Sequence, residues 1–169
     1  LLQAAREAPP ASQLRNDFII RTHFDASHTI VGEAMDGKLF SQGAEGTLVY
    51  GAYQDLCAGN YTLSLQGVAH PANGAWADVV ASYGAQTYDR HALLDTADGR
   101  DGTMLEARYV FPEDLPLAEV RVGVSPDAAV RLDGYTLLPA YEALPVGSSV
   151  DFSADASNRD RKSTRLNSS

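Results

Sequence analysis

One cysteine and one tryptophan in 169 residues put several protein classes out of reach at once. Cys57 has no second cysteine to pair with, which excludes an internal disulfide framework and a cysteine-rich metal site. Small apolar filler is the role that a lone thiol fits best. Basic residues are also scarce: thirteen Lys and Arg stand against twenty-two Asp and Glu, a net charge of −9. A body this acidic repels phosphate backbones and anionic headgroups at long range, so neither nucleic acid nor a membrane surface is expected as a partner. No apolar run approaches the roughly 20 residues that a spanning helix needs. The chain lacks His-Glu-x-x-His, Gly-x-Ser-x-Gly, a phosphate-cradling glycine loop and Cys-x-x-Cys. Its four histidines are scattered, and His23 and His28, five apart around Asp25, fall on opposite faces of an extended segment.

What is present has the size and balance of one globular domain, with 44% apolar and 21% charged residues. From Asp17 the pattern alternates, which predicts Phe18, Ile20, Thr22 and Phe24 on one face and Arg21 and His23 on the other. Asp36-Gly37 marks a hairpin before Lys38-Leu39-Phe40. Strand-sized segments follow over 47–53, 61–67, 76–83, 87–94 and 103–111, and alternation resumes around Val120-Val122-Val124, Val130-Leu132 and Tyr135–Leu138. About nine or ten short strands without helical periods between them predict an all-β fold, an antiparallel two-sheet β-sandwich of jelly-roll type. The expected core holds Phe18, Ile20, Phe24, Leu48, Tyr61, Leu63, Leu65, Val79, Leu105, Tyr109, Val120, Val122, Val130 and Leu132.

The domain is expected over 17–140. Residues 1–16 read as the tail of a preceding unit, with helical spacing stopped by Pro9-Pro10, and 141–159 as a linker. The last ten residues, from Asp160, resemble the translation of a sequencing-adapter oligonucleotide. Setting aside that tail's three bases and one acid takes the net charge from −9 to −11, so the acidic character belongs to the body.

The stretch Ser41-x-Gly43-x-x-Gly46-x-Leu48-x-x-Gly51-Ala52-Tyr53-x-x-Leu56-x-Ala58-Gly59-x-Tyr61-x-Leu63 resembles a recurrent bacterial jelly-roll module, as do Leu115–Val122 and Leu132-Asp133-Gly134-Tyr135 further on. Modules of that kind are fused to glycosyltransferases and to sugar-related or SAM-dependent methyltransferases, and are similar to carbohydrate-binding β-sandwiches. The resemblance runs from about Thr29 to Pro139, and the chain departs from it at Ala52, where proline is usual. It implies an accessory domain without catalysis of its own, whose partners are a neutral glycan and the neighbouring domains of a parent chain. Physically the motif speaks of structure: Gly59 supplies a positive φ, Gly51 a bulge or close approach, and Tyr61 a core ring with a bonded hydroxyl.

Candidate ligand residues come from facing. On the strand from Trp76, the small apolar side chains of Ala77, Val79 and Ala81 define the core side and leave Trp76, Asp78 and Ser82 outside. A flat aromatic beside a carboxylate suits a sugar, whose C–H face stacks while its hydroxyls bond. Glu106, Arg108 and Arg121 occupy outward positions on later strands and are candidates to join Trp76 and Asp78. Two readings stay open for the indole: an exposed platform, or a plug under the 71–74 loop in a domain that serves only as a structural spacer or subunit contact. A third possibility, a small hydrolase or epimerase, requires a polar pocket with a perturbed carboxylate or histidine. No cofactor is expected beyond a structural Ca²⁺ among Asp95, Asp98 and Asp101, and a solvated hairpin loop is the better account of those residues, since Asp and Gly favour turns. Nothing in the sequence fixes a compartment.

Overall fold

The computed structural model describes residues 18–140 and, as backbone, the short antiparallel pair Thr164–Arg165 and Asn167–Ser168. The readings of 1–16 and 141–159 lie outside the described residues. Within 18–140 the chain builds two antiparallel sheets from twelve strands.

The first sheet runs β10 (Gly102–Phe111), β6 (Gly59–Ala69), β12 (Val130–Pro139), β3 (Lys38–Phe40), β2 (Glu33–Met35), and β1 (Ile19–Arg21) joins it on β12. β3 takes the Arg131-Leu132 part of one edge of β12 and β1 takes the Tyr135–Leu137 part. The second sheet repeats this edge sharing. Its centre is β11 (Leu115–Val124), with β7 (Trp76–Ala81) on one side and both β4 (Gly46–Val49) and β5 (Ala52–Leu56) on the other. β8 (Gln86–Thr87) and β9 (His91–Ala92) divide the far edge of β7 in the same way. The all-β sandwich expected from the alternation is therefore the observed architecture.

The core follows the pattern with one reversal of phase. Twelve of the fourteen expected core residues are buried, but Ile20 is 56% exposed and Phe18 is half-buried, while Ile19 is sealed. Alternation puts Phe18, Ile20 and Phe24 on one face, but pairing with β12 sets Ile20 opposite the partly exposed Thr136 and turns Ile19 inward, and β1 ends at Arg21, so Phe24 reaches the core from outside the strand. The segment lengths also needed correction. The expected strand over 47–53 is broken at Tyr50-Gly51, that over 87–94 is reduced to the end of β8, a connecting loop and β9, and that over 76–83 stops at Ala81. Thr29–Gly32 forms no strand, whereas Asp36-Gly37 is the hairpin turn expected, with φ of 54° and 77°.

Gly67 shows why a glycine is needed inside β6. A Cβ there would lie 2.0 Å from the Arg131 carbonyl oxygen, beside the irregularity in the β6–β12 ladder between Leu132 and Gly134. The other motif glycines behave as read: Gly59 has φ 145°, and Gly51 has φ 105° with the Arg21 guanidinium packed 3.3 Å from where a Cβ would stand. The Gly51–Ala52 peptide is cis. Cys57 is half-buried.

Three buried tyrosines satisfy their hydroxyls on main-chain oxygens: Tyr61 donates to Cys57 at 2.7 Å, Tyr109 to Asp89 at 2.6 Å and Tyr135 to Gly51 at 3.2 Å. Burial pushes the Tyr135 hydroxyl up to about 12, and burial together with the nearby Asp78 and Asp89 raises Tyr109 further. Because the unfolded phenols ionise near pH ~10 while the folded ones hold their protons, the unfolded state binds fewer protons above that pH. Stability should hold up to pH ~10 and fall steadily between about 10 and 12, as urea titrations across that window will show. Tyr135→Phe should flatten the fall while costing about 1 kcal/mol at neutral pH.

Candidate functional site

Register across the centre of the second sheet assembles one row after another on its outer face. Gly123 faces Trp76, Arg121 faces Asp78, and Glu119 faces Val80 on β7 and Ala52 on β5. The intervening Ala77, Val79 and Ala81 belong to the core cluster, so Trp76 and Asp78 point outward as the alternation predicts. Outward does not mean exposed: the Asp78 side chain is only 3% accessible.

Two arginines account for that burial. Arg121 forms a two-pronged bond with Asp78, Nε donating to one carboxylate oxygen at 3.0 Å and Nη2 to the other at 2.9 Å. Hydrogen bonding to Asp78 holds the Arg121 guanidinium above its ordinary pKa. Arg90, from the loop between β8 and β9, reaches the second oxygen with Nε at 3.3 Å and Nη2 at 3.2 Å. Its guanidinium then lies flat over the indole, 3.4 Å from the ring centroid. Arg121 also lies over the ring, 5.7 Å from its centroid, and Gly123 lies against it, where a Cβ would come within 2.2 Å of the indole. Trp76 is thus half-buried, with Arg90 over its ring and Gly123 against it, between the two readings open at the sequence level.

Three depressions line this surface and share walls. The first, about 480 Å³, lies between Ala72–Ala75, Trp76 and Leu94; the second, about 400 Å³, between Asp78, Tyr88 and Asp89; Arg90 borders both. The third, about 340 Å³, meets the second at Arg121 and is walled by Tyr50, Tyr53, Tyr83 and Glu119. Together they form a shallow trough across the sheet.

The third depression carries a feature that sequence reasoning missed. Tyr53 and Tyr83 pair with ring centroids 5.6 Å apart, and Tyr83 is 76% exposed. Both project from left-handed backbone, with φ of 64° and 56°. For a bulky side chain this costs about 1–3 kcal/mol each, a cost that tends to persist where an aromatic must be aimed. Tyr83 stands in the tight turn Ala81–Gly84, closed by a Gly84 N–H to Ala81 carbonyl bond of 3.1 Å. The Tyr53 hydroxyl donates to Glu119 at 3.3 Å, and burial with the adjacent Glu119 charge raises its pKa. The Tyr83-Gly84 dipeptide was the signal available in the sequence.

Not all expected candidates assemble. Glu106 and Arg108 lie exposed on β10, the edge strand of the other sheet, so they do not join Trp76. Facing direction alone does not say which sheet a strand enters. The three loop aspartates expected as a calcium site are engaged separately: Asp95 accepts the Ala72 N–H at 2.7 Å, Asp101 pairs with Arg131, and Asp98 occupies a turn at φ 51°. Among the described residues no three His, Cys, Asp or Glu side chains are grouped to hold a metal ion.

Removing the buried carboxylate tests the arrangement directly. Asp78→Ala should cost about 2–4 kcal/mol in urea unfolding, because Arg121 is left partly buried without its counter-charge. Gly123→Ala should red-shift the emission of the lone indole by forcing it off the sheet, at a cost of about 1–3 kcal/mol.

No protein-family model and no curated protein matches the chain in sequence. Among solved structures, the fold is similar to the carbohydrate-binding module of Cellvibrio mixtus lichenase 5A, solved in complex with cellotriose. The TM-score is 0.53 at 10% identity, over 73% of this chain and 98% of that module. A module from Cellvibrio japonicus Abf62 aligns at TM-score 0.41 and 13% identity, over 74% of this chain and 95% of its own. A module of a multidomain xylanase from the hindgut metagenome of Trinervitermes trinervoides aligns at 0.39 and 13%, over 75% and 100%. At this identity the likeness to the lichenase module shows that the chain has the β-sandwich fold found in carbohydrate-binding modules.

Proposed function

We propose that this domain is a non-catalytic carbohydrate-binding module that holds a neutral glycan in the trough on its second sheet. The observation that carries the reading is the Tyr53–Tyr83 pair, two aromatics aimed outward from left-handed backbone beside Glu119 and Arg121. Sugar C–H faces stack on such rings, while Glu119 accepts from hydroxyls and Arg121 donates to them. Glu119 is 7% exposed, accepts the Tyr53 hydroxyl at 3.3 Å and lines the depression. The cellotriose-bound module of similar fold supports the same ligand class.

This reading moves the platform from Trp76, whose ring lies under Arg90, to the tyrosines. The trough is mixed in charge, with Arg90 and Arg121 against Asp78, Asp89 and Glu119, and this suits an uncharged ligand better than an anionic one. A shallow, open site of this kind gives weak affinity, near millimolar or about −4 kcal/mol. Its use is as an appended module of a larger glycan-active enzyme, where tethering raises the local substrate concentration for a neighbouring domain.

The test is a glycan array on the whole chain, followed by calorimetry on the glycan selected. Tyr83→Ala and Tyr53→Ala should each weaken binding by about tenfold, on the scale of one lost aromatic contact, while Glu106→Ala leaves it unchanged. An array on which the wild-type chain retains no glycan would overturn the reading in favour of a spacer or subunit-contact domain.

A further inference from the structure

Trp76 is the only indole in the chain, and it lies in line with the tyrosine platform with Arg90 over its ring. That cover is a side chain that Asp78 does not need. Arg121 alone satisfies both carboxylate oxygens at 3.0 and 2.9 Å, whereas Arg90 adds two longer bonds, 3.3 and 3.2 Å, to an oxygen that Arg121 already occupies. The Arg121 side chain is 28% exposed and that of Arg90 is 52% exposed. Arg90 is therefore the outer and looser of the two, and its departure would leave only the more distant Arg121, 5.7 Å from the centroid, over the indole without leaving a buried charge unpaired.

We propose that Arg90 is a specificity-determining cover that sets how long a glycan the trough accommodates. The inference rests on the carbohydrate reading of the trough. Along β7, Trp76 is four residues from Val80, the position opposite Glu119, so about 13 Å of surface separates the indole row from the tyrosine end. That is a distance for a short oligosaccharide rather than a single sugar. A glycan stacked on Tyr53 and Tyr83 and extending along the trough meets a guanidinium where the next aromatic face would be. Adding sugars beyond that point brings little affinity while Arg90 stays in place. A ligand long enough to reach the indole must lift Arg90 from both the ring and Asp78, exchanging a cation–π contact and an ion pair for a stacked sugar.

The experiment compares the whole wild-type chain with R90A and R90Q, using cello-oligosaccharides of increasing length and then the homologous series of whichever glycan the array selects. Calorimetry reads affinity, and indole emission with acrylamide quenching reads the cover. Wild-type affinity should stop growing with length, whereas both variants should bind the longest members about fivefold more tightly and the shortest unchanged. Acrylamide should quench the variants more strongly, and only long glycans should alter their emission. Wild-type binding with no gain in either variant at any length would overturn the cover. A loss of affinity in both variants at every length would overturn it too, by making Arg90 a contact residue. Absence of binding in all three proteins would instead bring down the carbohydrate reading itself, and the length claim with it.

Discussion

A carboxylate kept from water on the outside of a sheet is the constraint around which this surface is organised. Asp78 is far too buried to be stable alone, since an uncompensated charge in that position costs several kcal/mol. Its compensation comes from the next strand, through Arg121, and from a loop beyond the sheet edge, through Arg90. The register that sets Asp78 beside Arg121 also sets Trp76 beside Gly123, so the indole has somewhere flat to lie. The loop that brings Arg90 to the carboxylate brings it over the ring as well. One buried charge thereby couples two strands, a loop and the sole indole.

Much of the architecture was legible in the sequence because period two is a local property. Leu63 and Leu65 on β6, Val120 and Val122 on β11, and Leu105 and Tyr109 on β10 are all buried as the alternation predicts. In Phe18–Phe24 the more apolar phase was not the one used by the strand, because the pairing partner settled the matter and Ile20 ended outside. Strand ends were less legible than strand existence. β7 ends after Ala81, where Ser82 and Tyr83 take left-handed backbone that tyrosine rarely adopts, so composition gave little warning, and the break at Tyr50-Gly51 falls at a glycine with φ 105°.

The site was legible in part. Trp76, Asp78 and Arg121 do come together, because two strands rich in small apolar residues pair side by side at the centre of one sheet. Glu106 and Arg108 have the same outward alternation, but β10 enters the opposite sheet, and facing carries no information about sheet membership. Arg90 was not recoverable from any local pattern. Its role arises from a loop crossing over a strand pair that is joined only by the fold. Tyr83 was missed for the opposite reason: it looked like the end of a strand, and its value as a platform comes from standing in the turn instead.

The divided strand edges have a bearing on how such a domain behaves when crowded. A long straight margin of unpaired N–H and C=O groups invites another chain to add a strand. Here the β4/β5 margin is interrupted at Tyr50-Gly51, the β8/β9 margin by the loop that carries Arg90, and β2 is three residues long. The ten-residue β10 is the long margin that remains, and its Met104 carbonyl already accepts the Leu94 N–H at 2.9 Å. Interrupted borders of this sort offer few templates for self-association, so copies of the domain can crowd together and stay separate molecules.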